Sequence, residues 1–332
     1  MNLFTKSAAP LLCPDGSMPW ASGAVFNPAA WFDGETVHML FRAVPDGYRR
    51  IRLEHAAGGE LDVGFDNYVS YIGYASSRDG LHFDVRPEPF ISPDTHVDRF
   101  GAEDPRISVV DGHYLITYSA LESGAYDPDC RVRIGLATTT DFLHVDKHGV
   151  IGPDERDKDA VIFPRLIGGR VAMLHRIVPD IQLIYFDDLD QLIAPPARLW
   201  IDHMNNLDQH VVMRPEAEWE SKKIGAGPTP IETDDGWLLI YHGVDDNHVY
   251  RAGLALLDLD DPSKVIARTP HPVLEPESDF ERFGDVNNVV FPEGAVVLGD
   301  TLHVYYGAAD RVIGHAAAPM SAVLALLRHH RI

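Results

Sequence analysis

An all-β fold, a five-bladed β-propeller with a short C-terminal helix, is the class this sequence predicts. Three observations carry it. One strand-rich pattern is written five times, beginning near Asn27, Glu103, Lys158, Ile224 and Asp285. Its copies are spaced by about 55 to 75 residues, which suits one multi-stranded blade each. Short runs of β-branched, leucine and aromatic residues dominate the chain and are bounded by Gly, Asp and Pro.

Each copy opens on a polar or glycine-rich cluster and passes through a hairpin glycine into a strand. In the first, Asn27-Pro28 leads to Asp33-Gly34 and a strand over Glu35 to Arg42. In the second, Glu103-Asp104-Pro105-Arg106 leads to Asp111-Gly112 and a strand from His113 to Ser119, then another from Arg133 to Ala137. In the third, Lys158-Asp159 leads through Phe163-Pro164 to Gly168-Gly169 and a strand over Arg170 to His175. In the fourth, Gly225-Ala226-Gly227-Pro228 leads to Asp235-Gly236 and strands over Trp237 to Tyr241 and Ala252 to Leu257. In the fifth, Asn287-Asn288 leads through Phe291-Pro292 to Gly299-Asp300 and a strand over Leu302 to Tyr306. The Asp-Gly pairs supply the positive φ of a tight hairpin. Ile72 to Asp79 echoes Ile134 to Asp141, as the third strand of a blade and its turn would. Pro319 to Arg331 alone reads as a helix, with Met320, Val323, Leu324 and Leu327 on one face. Arg49 to Asp66 interrupts the first copy, as a loop over the site or an oligomer contact would. Equivalent loops of a propeller ring one opening, so the polar clusters are expected to converge there.

The 332 residues, 45% of them hydrophobic, are enough for residues 1–332 to form one propeller domain. No apolar run reaches the roughly 18 residues of a membrane helix, and the first residues lack an apolar secretory segment. A cytoplasmic protein without membrane contact is expected. The net charge of −22 repels phosphate backbones, so nucleic acid is excluded as a partner. Two cysteines, Cys13 and Cys130, are too few for a disulfide framework or a cysteine zinc site. The histidines show no metal spacing, and no metal or organic cofactor is expected.

The sharpest local signal is Glu103-Asp104-Pro105-Arg106. A residue before proline is held extended and projects its side chain, although an ion-paired turn would read the same way. Lys158, Arg176, Lys223 and His242, with Tyr250 nearby, hold comparable places at blade entrances or strand ends. In a chain this acidic, several cations aimed at one opening suggest an anion site. Gly225-Ala226-Gly227-Pro228 lacks the Lys-Ser/Thr ending of a P-loop and reads as a close approach of backbone to a ligand or a neighbouring blade. No Gly-x-Ser-x-Gly elbow is present, which argues against a serine hydrolase.

From Asn27 to Asp310 the chain resembles glycoside hydrolase family 130, the β-mannoside phosphorylases and related β-mannosidases. The resemblance rests on six motifs in order. They are Glu103-Asp104-Pro105-Arg106, Lys158 to Pro164, Met173 to Arg176, Lys223 to Pro228, Tyr241 to Val244 with Tyr250 to Gly253, and Tyr305 to Asp310. It implies a five-bladed propeller and an inverting reaction. Asp104 is implied as the general acid, its proton passing through a hydroxyl of the mannose. Lys158, Arg176, Lys223, His242 and Tyr250 are implied as phosphate ligands. Asp310, Arg42 and Asn27, with Glu103 and Arg106 of the acid motif, are implied around the sugar. Lys158 stands where the family often has arginine, Ile177 where it often has proline, and Tyr71 where some members have arginine.

The cations decide which reaction is expected. An inverting hydrolase needs a second carboxylate to activate water. Phosphate is already an anionic nucleophile and needs only cations and one acid. Phosphorolysis of a β-1,4- or β-1,2-mannoside is therefore expected, with inorganic phosphate as co-substrate and α-mannose 1-phosphate as product. The rivals are an inverting β-mannosidase with Glu103 or Glu293 as base, and a carbohydrate-binding propeller without catalysis. Related enzymes often form homo-oligomers.

Overall fold

Short apolar strands joined by tight turns close on themselves as five sheets. A computed structural model describes residues 3–52, 63–124 and 131–332. Blade 1 comprises Ala24–Phe32, Val37–Val44, Tyr71–Ser77 and Asp84–Val85, and blade 2 comprises Gly101–Val110, His113–Leu121, Val132–Thr139 and Asp146–Val150. Blade 3 comprises Lys158–Ile162, Val171–Arg176, Ile181–Phe186 and Val211–Met213. Blade 4 comprises Lys223–Ala226, Gly236–Val244, Tyr250–Leu257 and Val265–Arg268, with Ile231–Thr233 added alongside. Blade 5 comprises Val290–Leu298, Thr301–Ala308 and Val312–Pro319. Its fourth strand is Thr5–Lys6, which pairs antiparallel as Thr5 with Ala317 and Lys6 with Ala316. The two ends of the chain thus share one blade and close the ring.

Both faces of a blade must be buried, and each is buried against a neighbour. One apolar cluster lies at every junction. Leu40 and Ile72 meet Ile107 and Ile116 between blades 1 and 2, and Leu115 and Leu136 meet Ile162 and Met173 between blades 2 and 3. Leu174 and Leu183 meet Trp237 and Leu239 between blades 3 and 4, and Ile240 and Leu254 meet Val304 and Tyr306 between blades 4 and 5. Met39 and Phe41 meet Val296 and Tyr305 where blade 5 returns to blade 1.

The repeated turns have one chemistry. Asp111 and Gly112 both have positive φ, 50° and 79°, as the hairpin predicts. Oδ1 of Asp79 accepts from the backbone N–H groups of Leu81 and His82 after the third strand of blade 1. Asp141 does the same for Leu143 and His144 in blade 2, so the echoed segments are equivalent.

The C-terminal helix is Met320–Arg328, with Val323 and Leu327 buried at the junction of blades 4 and 5. Helices Leu189–Ile193 and Ala197–Asn205, between the third and fourth strands of blade 3, go beyond the one helix expected. Asp188 caps the first by accepting from the N–H of Gln191, and Trp200 of the second is buried. Within the inserted segment, Arg49–Arg52 pairs with Val63–Asp66 as a two-stranded hairpin. Cys13 is exposed, and Cys130 lies outside the described residues.

Candidate active site

The innermost strands of blades 1, 2, 3 and 5 each carry a β-bulge at the same place. The register slips between Phe26 and Pro28, Glu103 and Arg106, Lys158 and Val161, and Pro292 and Gly294. One extra residue turns the local side chains out of the ladder and towards the axis. At three of the four, a short polar residue adopts the left-handed conformation: Asn27 at φ 48°, Asp104 at 51° and Asp159 at 55°. Asn and Asp tolerate this region better than other side chains, which accounts for the residue type. The fourth bulge contributes Glu293.

These side chains meet. Asp104 is 6% exposed, and both its oxygens are engaged. Oδ1 accepts from Asn27 Nδ2 at 2.8 Å and Arg42 Nη1 at 3.2 Å, and Oδ2 accepts from Lys158 Nζ at 3.0 Å. Arg42 Nη2 also donates to Glu103 Oε1 at 2.5 Å, and its Nε donates to Ser70 Oγ. Burial alone would raise the Asp104 carboxyl, but Lys158 and Arg42 outweigh it and hold the group well below the usual carboxylate range. Asp310, at φ 53°, completes this side. Burial pushes its carboxyl up to about 7, with Arg42 opposing and Asp104 and Asp285 reinforcing the rise.

Lys158 pairs directly across the ladder with Arg176. Arg176 Nη1 lies 2.5 Å from Asp159 Oδ2 and donates to His242 Nε2 at 3.0 Å. A guanidinium has no lone pair to offer, so Nε2 accepts and the ring proton sits on Nδ1. His242 was expected among the cations, and here the geometry differs: the ring is neutral. Burial drives its pKa well down, and Arg176 and Lys223 add to this against Asp159. Its buried Nδ1 has no hydrogen-bond partner among the described residues. Tyr250 lies near the same ring with centroids 6.1 Å apart, and Lys223 Nζ stands 5.8 Å from the Tyr250 ring centroid. Gly225 is required here: a Cβ would meet Asp159 Oδ2 at 2.2 Å and His242 Cε1 at 2.4 Å.

The comparisons with known proteins agree on one family. The family-130 glycoside hydrolase model, described as beta-1,4-mannooligosaccharide phosphorylase, matches residues 16–329. The chain belongs to glycoside hydrolase family 130. It is 42% identical over 321 residues to a 1,2-beta-oligomannan phosphorylase of Thermoanaerobacter, covering 96% of this chain and 98% of that one. It is 40% identical over 316 residues to a beta-1,2-mannobiose phosphorylase of the same organism, covering 95% and 96%. Its fold is similar to that of a beta-1,2-mannobiose phosphorylase from Listeria innocua in complex with beta-1,2-mannobiose. That TM-score is 0.78 at 29% identity, covering 98% of this chain and 99% of the other.

Within this family-130 propeller, the residues singled out from sequence occupy one continuous network, with two differences. Arg106, expected near the sugar, is 1% exposed. Its donors reach the carbonyls of Asp104, Pro105, Ala226 and Gly227, and Nη1 lies 2.6 Å from Glu293 Oε1. It joins blades 2, 4 and 5, and the donors named here are spent on protein acceptors. The fifth polar cluster is the second difference. Asn287 and Asn288 are exposed, and blade 5 supplies Glu293 and Asp310 instead. Asp159 had no role assigned from sequence, although its place one residue after Lys158 matches that of Asp104 after Glu103.

Proposed function

We propose that this protein cleaves β-mannosides with inorganic phosphate and releases α-mannose 1-phosphate. The observation that carries the reading is the Asp104 carboxylate paired with Lys158 beside the Arg176–His242 pair. A phosphate oxygen attacks the anomeric carbon as the glycosidic C–O bond breaks. The departing oxygen takes a proton that Asp104 supplies through a mannose hydroxyl, and the anomeric configuration inverts. Lys158, Arg176 and Lys223 bring charge to the phosphate, His242 offers its Nδ1–H, and Tyr250 flanks them. Arg42, Asn27, Glu103 and Asp310 surround the mannose.

The two candidate bases of the hydrolytic alternative are both already engaged. Glu103 accepts from both Arg42 and Ser70. Glu293 is 1% exposed, and burial, opposed by Arg106 and reinforced by Asp104 and Asp159, raises its carboxyl well above the ordinary value. Enclosed in this way against Arg106, Glu293 offers almost no surface to an attacking water. Relatives named for β-1,2-linked substrates favour that linkage over β-1,4. Residues 1–332 act as one domain in this reading, in the cytoplasm, as a homo-oligomer and with no cofactor beyond phosphate. No described helix is long and apolar enough to cross a membrane. Incubation with β-1,2- and β-1,4-mannobiose in phosphate tests the linkage. Faster release of mannose 1-phosphate from the β-1,2 isomer is expected, and a preference for β-1,4 would reverse the assignment.

A further inference from the structure

A general acid must carry a proton, yet in the ligand-free protein three donors hold Asp104 as a carboxylate. Oδ1 accepts from two donors and Oδ2 from Lys158. The charged and titratable groups around it come from four blades, its own included. Arg42 lies on blade 1, Glu103 on its own strand, Lys158 and Asp159 on blade 3, and Glu293 and Asp310 on blade 5. Something must loosen this pairing before the acid can act.

The two cations on Asp104 are unequal. Arg42 is fixed. It is shared among Asp104, Glu103 and Ser70, and its guanidinium carbon packs 4.7 Å from the Phe26 ring centroid and 5.4 Å from that of Tyr68. Lys158 has one short contact with an acid, at 3.0 Å to Asp104 Oδ2, and the next is 3.9 Å away at Glu103. Its side chain is 19% exposed, against 10% for Arg42. An ammonium on a four-carbon stem can swing between partners in a way that a doubly bonded guanidinium cannot. Lys158 is also directly opposite Arg176 on the ladder, so an anion seated on Arg176 lies beside it.

We propose that Lys158 is an exchangeable counter-ion: without phosphate it holds Asp104 as a carboxylate, and arriving phosphate draws it away so that Oδ2 takes up a proton. The proton comes from solvent, is given to the leaving oxygen during turnover, and is replaced in the next cycle. Phosphate is then both nucleophile and the signal that arms the acid. A site without phosphate keeps Asp104 ionised and cannot protonate a mannoside, which protects the substrate from hydrolysis. This rests on the phosphorylase reading above, with Asp104 as acid and Arg176 and Lys158 at the phosphate.

Calorimetric titration of inorganic phosphate into the full chain tests it, between pH 5.5 and 7.5 in buffers of different ionisation heat. The buffer dependence gives the protons exchanged on binding. Phosphate's own titration is common to wild type and Asp104→Asn, so the difference between them belongs to Asp104. Wild type is expected to take up more protons than Asp104→Asn, the excess growing towards about one per site at the acid end. Lys158→Met is expected to bind phosphate more weakly and to lose at least half of that excess, because its Asp104 no longer has an ammonium to release. Equal proton numbers in wild type and Asp104→Asn, with phosphate bound in both, would overturn the exchange and leave the phosphate site standing. Proton uptake in Lys158→Met equal to that of wild type would also overturn it, and that direct comparison decides the matter alone if Asp104→Asn does not fold. Absence of phosphate binding in wild type would remove the phosphorylase reading itself.

Discussion

Replacing Arg106 by methionine keeps the length of the side chain and removes every donor it carries. Four backbone carbonyls, those of Asp104, Pro105, Ala226 and Gly227, lose a partner they reach at 2.6 to 3.3 Å. Glu293 loses its cation. Each buried acceptor left unmatched costs about 1 kcal/mol at the low end, and breaking a buried pair from one side costs about 3–5 kcal/mol. Glu293 can stay protonated, which limits the total to roughly that range. For a chain of this size about 2 °C of Tm accompanies each kcal/mol, so a fall of about 6–10 °C is expected. Differential scanning fluorimetry measures it, with Arg198→Met as a control. Arg198 is an exposed cation paired, among the described residues, with Asp202 four residues on, and its loss should leave Tm unchanged. A Tm for Arg106→Met within about 2 °C of wild type, with only the KM for mannoside raised, would refute the scaffold role and restore Arg106 to the sugar.

Two other perturbations have defined outcomes. Gly225→Ala puts a Cβ into Asp159 and His242, both buried, so overpacking of about 1–3 kcal/mol and displacement of His242 are expected. Steady-state kinetics should show the KM for phosphate rising about tenfold or more while that for mannoside moves less, and an unchanged phosphate KM would contradict the placement. Asp310 titrates near 7 when folded and near 4 when unfolded, so between those values the folded state binds more protons. Its contribution therefore turns unfavourable as pH rises from about 4 to 7 and stays so above. Asp310→Asn should narrow the difference in Tm between pH 5 and pH 8 in the direction of a relatively more stable protein at pH 8, and an identical profile would remove the effect.

The propeller was legible because its repeat carries two kinds of signal at once, a hairpin of forced φ and a polar cluster that no strand interior would tolerate. What escaped was the part that lacks pattern. Thr5–Lys6 contributes only two residues to blade 5, too few for any alternation to register. The helix Ala197–Asn205 follows Pro196 without a side-chain cap, so the signal that marks a helix start in sequence is missing. In the site, charge and position pointed to Lys158, Arg176 and Lys223, but the protonation of His242 depends on the direction of one hydrogen bond from Arg176. Arg106 shows the limit most clearly. Its place beside Asp104 in sequence suggested a shared task, yet the bulge at Asp104 and Pro105 turns consecutive side chains to different sides. Asn287 and Asn288 fit the repeat in composition, but the bulge that aims a side chain inwards lies further on, at Glu293.

In the proposed reaction phosphate, and not water, takes the mannosyl group under the control of Asp104. Proton and phosphorus NMR of purified protein with β-1,2-mannobiose, with and without inorganic phosphate and alongside Asp104→Asn, distinguishes the two acceptors. The account predicts α-mannose 1-phosphate with wild type in phosphate, no cleavage of the disaccharide without phosphate, and less than about a tenth of the rate in a folded Asp104→Asn. Free mannose at equal rates with and without phosphate, or undiminished turnover by Asp104→Asn, would contradict it.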